Sequence, residues 1–323
     1  MLKTANITRP KGIDELLSPD LMARLGQLDI SSRKIFTGKL KGERRSKKRG
    51  ESVEFADHRP YVSGDDLRHI DWNIFARLDH LFLKLFLEEE DLSLHVVIDC
   101  SASSDCGEPH KFLFMQRLAA ALAYIGLVNL NRVAITAIGD GGGTDPNLVV
   151  SADQVPEANG IVASVRDLRG RRRLQDLARF LCSLEPVGVT RWTDAAKRIA
   201  ITRRGKGVMI ILSDFFHKEG YDTGLRLLKG HGYDLFAIQV LSPQEMEPNI
   251  AGDLRLKDVE DGDTAEVTIT APLLKKYKQT LNAYCNRLHE FCAQRDITHM
   301  TVKSDTPLDT LILDYLRRRG LVR

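Results

Sequence analysis

The stretch whose reading decides the fold is Ser93–Ser104, SLHVVIDCSASS. It runs apolar and β-branched through Ile98, stops on Asp99, and then carries three hydroxyls, Ser101, Ser103 and Ser104. A short apolar run of this kind reads as a strand in a protein core. Asp99 therefore stands where a buried strand reaches the edge of its sheet. A second run, Gly207–Asp214 (GVMIILSD), has the continuous apolar texture of a strand covered on both faces, and it too ends on an acid.

Outward from these two strands the pattern alternates. A helix is expected over about 110–129, then the strands RVAITAIGD and NLVVS, then helical segments near 153–166, 172–184 and 192–204. After GVMIILSD come a helix near 219–229 and the strand YDLFAIQVL. Two alternating runs meet at Asp261-Gly262, a dipeptide that favours a hairpin. Pro272 suits the first turn of a helix reaching about Arg295, followed by ITHMTVK as a strand and PLDTLILDYLRRR as a helix. Strands separated by helices imply an α/β fold with a doubly wound, mainly parallel sheet covered on both faces. Residues 93–323 form this domain, with the hairpin near 253–270 inserted in it. Residues 1–92 are expected to form a separate β-rich segment, since Leu81–Glu88 alternates aliphatic and other side chains.

The bulk properties exclude several classes. The chain has 323 residues, 43% hydrophobic and 28% charged, with a net charge of +3, so no global field calls for nucleic acid or membrane. Five cysteines, at 100, 106, 182, 285 and 292, form no CxxC pair, which points away from zinc knuckles and disulfide frameworks. The N-terminus lacks a signal-peptide core. The most apolar run, Leu118–Val128, falls short of the roughly 20 residues that span a bilayer. A soluble, cytoplasmic protein is expected.

In parallel α/β sheets ligands gather outside the carboxyl ends of the strands. Asp99 and Asp214 emerge on that rim with Ser101 and Ser103, and the loop PVGVTRWTDAAKRI offers Thr190 or Thr193 ahead of a helix. Acids supply charge and hydroxyls supply neutral oxygens, a donor set suited to a hard cation such as Mg²⁺ or Mn²⁺. The plainer reading of an Asp or Ser after a strand is a helix cap.

Other features weigh less. Residues 39–49 hold seven Lys or Arg against one Glu; they suit a solvated loop, with nucleic-acid or anionic-surface binding as the alternative. The glycines of GDGGGTDPN lack the following helix that a phosphate loop needs. HExxH and GxxxxGK[ST] do not occur, so neither a zinc hydrolase nor an ATPase is indicated. GxSxG is likewise missing. A cation-dependent hydrolase is the weaker enzymatic alternative.

The pattern of Asp99, Ser101 and Ser103, then Thr190, then Asp214 resembles the von Willebrand factor A domain and its metal-ion-dependent adhesion site. The resemblance implies that the hydroxyls bind the cation directly, that the acids bind directly or through water, and that a partner's acidic side chain takes the last position. Upstream, Glu54, Phe55, Arg59, Tyr61, Gly64, Asp65, Asp66, Arg68, Ile70, Asp71, Trp72, Ala76, Arg77 and Glu90 match the hallmark of a bacterial family catalogued as domain of unknown function fifty-eight. This similarity runs from about residue 35 to the end and places the chain with the short soluble members. It implies work with a MoxR-type AAA+ ATPase on a client protein, as a non-enzymatic adaptor or co-chaperone. The hallmark's own chemistry, with Arg59, Tyr61, Asp65, Asp66, Arg68, Asp71 and Trp72 close together, reads as a paired structural network or a partner surface.

Overall fold

The computed structural model describes residues 8–31, 54–63, 65, 67, 70–87, 92–139, 160–202, 207–260 and 262–323. Its elements are, in chain order, α1 (Ile13–Leu16), α2 (Pro19–Leu25), β1 (Glu54–Pro60), α3 (Trp72–Leu78), β2 (Phe82–Leu87), β3 (Ser93–Asp99), α4 (Lys111–Val128), β4 (Arg132–Ile138), β5 (Ile161–Leu168), α5 (Leu174–Cys182), α6 (Trp192–Thr202), β6 (Gly207–Ser213), α7 (Asp222–Gly230), β7 (Asp234–Leu241), α8 (Pro243–Met246), β8 (Gly252–Lys257), β9 (Thr264–Ile269), α9 (Ala271–Ala293), β10 (Thr298–Lys303) and α10 (Leu308–Thr310), which continues as a π-helical stretch, Leu311–Leu316.

Six strands form the main sheet in the order β10-β7-β6-β3-β4-β5. All neighbours are parallel except β4 and β5. The apolar runs alternate faces with the period of 2 that strands impose. Val96, Ile98, Ile210 and Leu212 enter one core with α4 and α5. Val97, Met209 and Ile211 enter a second core with α6, α7 and α9. The mainly parallel α/β sheet expected from the sequence is thus the sheet observed. Helix α4 is long and apolar enough to cross a membrane, but its side chains are almost all buried in the core.

Two expectations are corrected. Residues 161–168 are the antiparallel edge strand β5, not the end of a helix. Ile161, Ala163 and Val165 are buried at every second position, and β-branched residues favour this pleated surface. The segment 1–92 is also not one unit. Two compact units make up the chain, Met1–Gly42 with Leu92–Arg323, and Glu43–Asp91. Leu16, Leu17, Leu25 and Ile30 are buried in the core of the first unit. Asp29 and Arg323 exchange backbone hydrogen bonds of 3.1 and 3.0 Å, which joins the N-terminal segment to the end of the chain.

The smaller unit is built on the antiparallel pair β1–β2, paired from Glu54↔Leu87 to Pro60↔Phe82. The basic run 39–49, the strand NLVVS, the glycines of 141–143 and the acidic stretch 88–91 lie outside the described residues.

Candidate functional site

The main sheet changes direction of winding between β3 and β6: from β3 the chain next builds β4 on one side, and β6 lies on the other. The crevice at such a switch point opens at the carboxyl ends of the strands. Ile98 pairs with Leu212, so Asp99 and Asp214 leave adjacent strands almost level with one another.

Asp99 is fully buried and gathers three donors. Its Oδ1 accepts the Ser101 N–H at 3.0 Å and the Thr190 hydroxyl at 2.6 Å, and its Oδ2 accepts the Ser213 hydroxyl at 2.6 Å. The Ser101 and Ser103 hydroxyls lie 2.9 Å apart, and Ser103 donates to Asp214 Oδ2 at 3.3 Å. Asp99, Ser101, Ser103, Thr190 and Asp214 therefore form one continuous hydrogen-bonded chain. Two backbone bonds fix the Thr190 loop against the Ser101 loop, Ala102 N–H to Gly188 O at 2.9 Å and Val187 N–H to Cys100 O at 2.8 Å. Gly188 has φ of +74°, a conformation that favours glycine. Thr193 is not in this chain; its N–H bonds Glu219 at 2.8 Å. Ser104 is buried outside it as well, its Oγ without a partner.

The loop after Asp214 is held in a strained form. Phe215 has φ of +59°, costly for a side chain of this size. Three bonds oppose the strain: Phe215 N–H to Ser213 Oγ at 2.9 Å, Phe216 N–H to Asp214 Oδ1 at 2.9 Å, and the Tyr284 hydroxyl of α9 to Phe215 O. Trp192, at the start of α6, packs edge-on against Phe215 and stacks on His217.

Four residues of the site were not singled out in the sequence. Ser213 is the first. Lys111 and Glu245 are the next two. The Lys111 ammonium, fully buried at the start of α4, lies 2.9 Å from Asp214 Oδ2 and 2.9 Å from Glu245 Oε1. Burial alone would drive it toward neutrality, but Asp214 and then Glu245 outweigh that, and its pKa rises above the ordinary lysine value. Burial likewise works against the Asp214 anion, yet Lys111 and the Phe216 N–H hold it below the usual carboxylate range. Glu245 is oriented by a capping box with Ser242, a pairing written in the sequence as Ser-x-x-Glu. The fourth is Glu260, half-buried between β8 and β9, whose carboxyl group lies beside the Ser103 hydroxyl. Burial raises its pKa; the neighbouring Ser103 hydroxyl opposes this, and the nearby Asp214 and Asp99 add to it.

Among the described residues no group of three or more His, Cys, Asp or Glu is placed to hold a metal. Asp99 and Asp214, with the hydroxyls of Ser101, Ser103 and Thr190, offer a set of oxygen donors at the rim. The donor chemistry is all oxygen, which hard cations require. Asp214 Oδ1 accepts the Phe216 N–H and its Oδ2 faces the Lys111 ammonium, so any cation here would share that carboxylate with both.

In the smaller unit, Arg59 pairs with Asp65 at 2.8 Å, and Asp65 also accepts the Val62 N–H at 2.9 Å. That backbone bond, then Arg59, lowers the Asp65 pKa. Asp71 caps α3 through Asn73 and Ile74 N–H groups at 2.9 and 3.2 Å and meets His58 Nε2 at 3.0 Å. Tyr61 is half-buried and Trp72 exposed. Asp66 and Arg68 lie outside the described residues.

The sequence matches the family described as "Protein of unknown function DUF58" over residues 57–147 and 155–284. The chain belongs to the DUF58 family. Among its relatives is Uncharacterized protein Mb1516 of Mycobacterium bovis, 28% identical over 272 residues, which cover 82% of this chain and 79% of the relative. Uncharacterized protein MAV169 of Mycobacterium avium is 32% identical over 158 residues, 47% of this chain and 92% of the relative. Among solved structures, this DUF58 chain is similar to the conserved hypothetical protein BatB from Bacteroides thetaiotaomicron, with a TM-score of 0.41 and 12% identity over 70% of this chain and 98% of that one. It is also similar to the pilus adhesin SpaC from Lactobacillus rhamnosus GG, with a TM-score of 0.44 and 10% identity over 72% of this chain and 30% of that one.

Proposed function

We propose that this DUF58 protein is a non-enzymatic, divalent-cation-dependent protein-binding module with a von Willebrand factor A-like site. The observation that carries the reading is the meeting of Asp99, Ser101, Ser103, Thr190 and Asp214, from three loops, at one sheet rim. Their spacing follows the adhesion-site pattern, and their oxygens suit Mg²⁺ or Mn²⁺. The buried charges point the same way. Asp99, Asp214 and Glu245 against Lys111 leave a net negative rim, which a divalent cation would offset. Ser103 donates to Asp214, whose carboxylate Lys111 holds ionised and makes a weaker base, so the site suits coordination better than nucleophilic attack. A bound cation would present a coordination position to a partner's acidic side chain.

The ATPase partnership rests on the hallmark's resemblance to MoxR-associated proteins. On that reading the module acts as adaptor or co-chaperone, holding a client protein for a MoxR-type AAA+ ATPase in the cytoplasm. Trp72, exposed on the smaller unit with Leu67 and Leu78, gives the hallmark an apolar surface such a contact could use.

Thermal unfolding with and without Mg²⁺ tests the site. A ligand that binds the native state stabilises it by about 2.7 kcal/mol at 100 times its dissociation constant. Wild type should gain melting temperature with Mg²⁺ or Mn²⁺. Asp99→Ala should not, nor should Ser101→Ala, which removes one ligand and leaves the strand intact. Equal shifts in all three proteins would overturn the site; recovery of no AAA+ ATPase on the full chain from its native cell with Mg²⁺ would overturn the partner.

A further inference from the structure

Most hairpins expose their tips and pack their arms, and here the order is reversed. The side chains of β8 and β9 are largely exposed, whereas Asp258, Val259 and Glu260 in the connection are half-buried. The arms are close neighbours chiefly of each other. Between them and the start of α9 lies a cavity of about 1370 Å³ lined by Leu254, Leu256, Val267, Leu273 and Tyr277. The hairpin is therefore not packed down along its length, and it is held at its tip.

The tip is built for that contact. Asp258 folds the connection: its side chain accepts the Glu260 N–H at 2.9 Å, its N–H bonds Asp263 O at 2.7 Å, and its carbonyl accepts the Gly262 N–H at 3.2 Å. Lys218, in the loop that follows Asp214, pairs with the other Asp258 oxygen at 3.1 Å. This turn places the Glu260 side chain beside the hydroxyl of Ser103, which bonds Ser101 and Asp214. Asp99, Ser101, Thr190 and Asp214 are all buried, so Ser103 is the half-exposed member of the chain, and it is the one that Glu260 meets.

We propose that Glu260 is the acid that fills the partner position of the rim site in the resting protein, so that a partner's carboxylate enters only by displacing the tip of the β8–β9 hairpin. The inference rests on the cation-site reading given above. An acid on a short tether competes with any free acid through its high effective concentration, so the hairpin sets a threshold for partner binding. The cavity under the arms gives the hairpin room to move without breaking a packed core.

Mn²⁺ titration of the full-length protein, followed by electron paramagnetic resonance and water-proton relaxation, separates the two ideas. Wild type should bind Mn²⁺, and Asp99→Ala and Ser101→Ala should lose that binding. Glu260→Ala should bind it about tenfold more weakly, having lost a charged ligand, and should show higher relaxivity because water takes the vacated position. Glu266→Ala, which removes a carboxylate from an exposed arm of the same hairpin, should match wild type. Unchanged affinity and relaxivity in Glu260→Ala, with binding still lost in Asp99→Ala, would overturn the hairpin's role and leave the cation site standing. No Mn²⁺ binding by wild type, or equal binding by Asp99→Ala and Ser101→Ala, would overturn the cation site and this inference with it.

Discussion

Lys111 shows how much a single residue decides at this rim. Its side chain is fully buried between two carboxylates, each at 2.9 Å. Such a pair gains little over an apolar replacement of both partners, but removing one partner leaves uncompensated buried charge and costs about 3–5 kcal/mol. Lys111→Met should therefore destabilise the protein by that amount in urea unfolding, because Asp214 and Glu245 are both left facing each other. Adding Glu245→Gln should recover part of the loss, and a double-mutant cycle measures how much. None of this was visible in the chain's one-dimensional order: a lysine opening a helix reads as a solvated side chain. Ser242-x-x-Glu245 has the spacing of a capping box, but that spacing says nothing of the lysine that Glu245 also holds. Ser213 was hidden for another reason, since one hydroxyl in an apolar run draws no notice until its strand is placed beside β3.

At the scale of elements, legibility followed the strength of the apolar period. The strands β3, β6 and β7 are mostly apolar runs, interrupted inside only by His95 and Gln239, and each lies where its sequence puts it. Helix α9 begins one residue before Pro272, with Thr270 accepting the Leu273 N–H at its cap. The weak case was β5: its arginine and aspartate at 166–167 and its position beside a polar stretch obscure the alternation of Ile161, Ala163 and Val165. Pairing with β4 settles it, and pairing is a tertiary fact. The connection between β8 and β9 also exceeds a tight two-residue turn, because the ladder ends at Lys257↔Thr264 and Asp258 bonds Glu260, Gly262 and Asp263. The packing of α6 on α7 carries a sharp consequence. Gly224 lies against the Trp192 indole, where an added Cβ would overlap the ring. Trp192 is fully buried and cannot swing away, and overpacking of this kind costs about 1–3 kcal/mol. Gly224→Ala should lower stability by that amount in chemical denaturation. It should also weaken the cation response, since Trp192 supports both Phe215 and the end of the Thr190 loop.

For the whole molecule, the two rim acids were readable because an acid that ends a buried strand has few places to go. Glu260 was not, since its place depends on a hairpin folding back to the rim. The pH dependence of stability likewise comes from residues brought together only by the completed fold. His299 on β10 is buried beside His289 of α9, with their Nδ1 atoms 3.4 Å apart, and its Nε2 has no hydrogen-bond partner. Burial first, then the charges of His289 and Arg319, push its pKa down from 6.5 to about 4. The native state thus keeps His299 neutral where the unfolded chain takes up a proton. Stability rises with pH wherever the unfolded state binds more protons, so this residue's contribution is complete above about pH 6.5 and drains away as pH falls toward 4. At pH 5 the loss is roughly 2 kcal/mol relative to pH 7. Urea unfolding of wild type and His299→Gln at both values isolates it from the carboxylates that titrate lower. The variant should lose less stability than wild type over that interval, and an identical loss in the two proteins would place the acid sensitivity elsewhere.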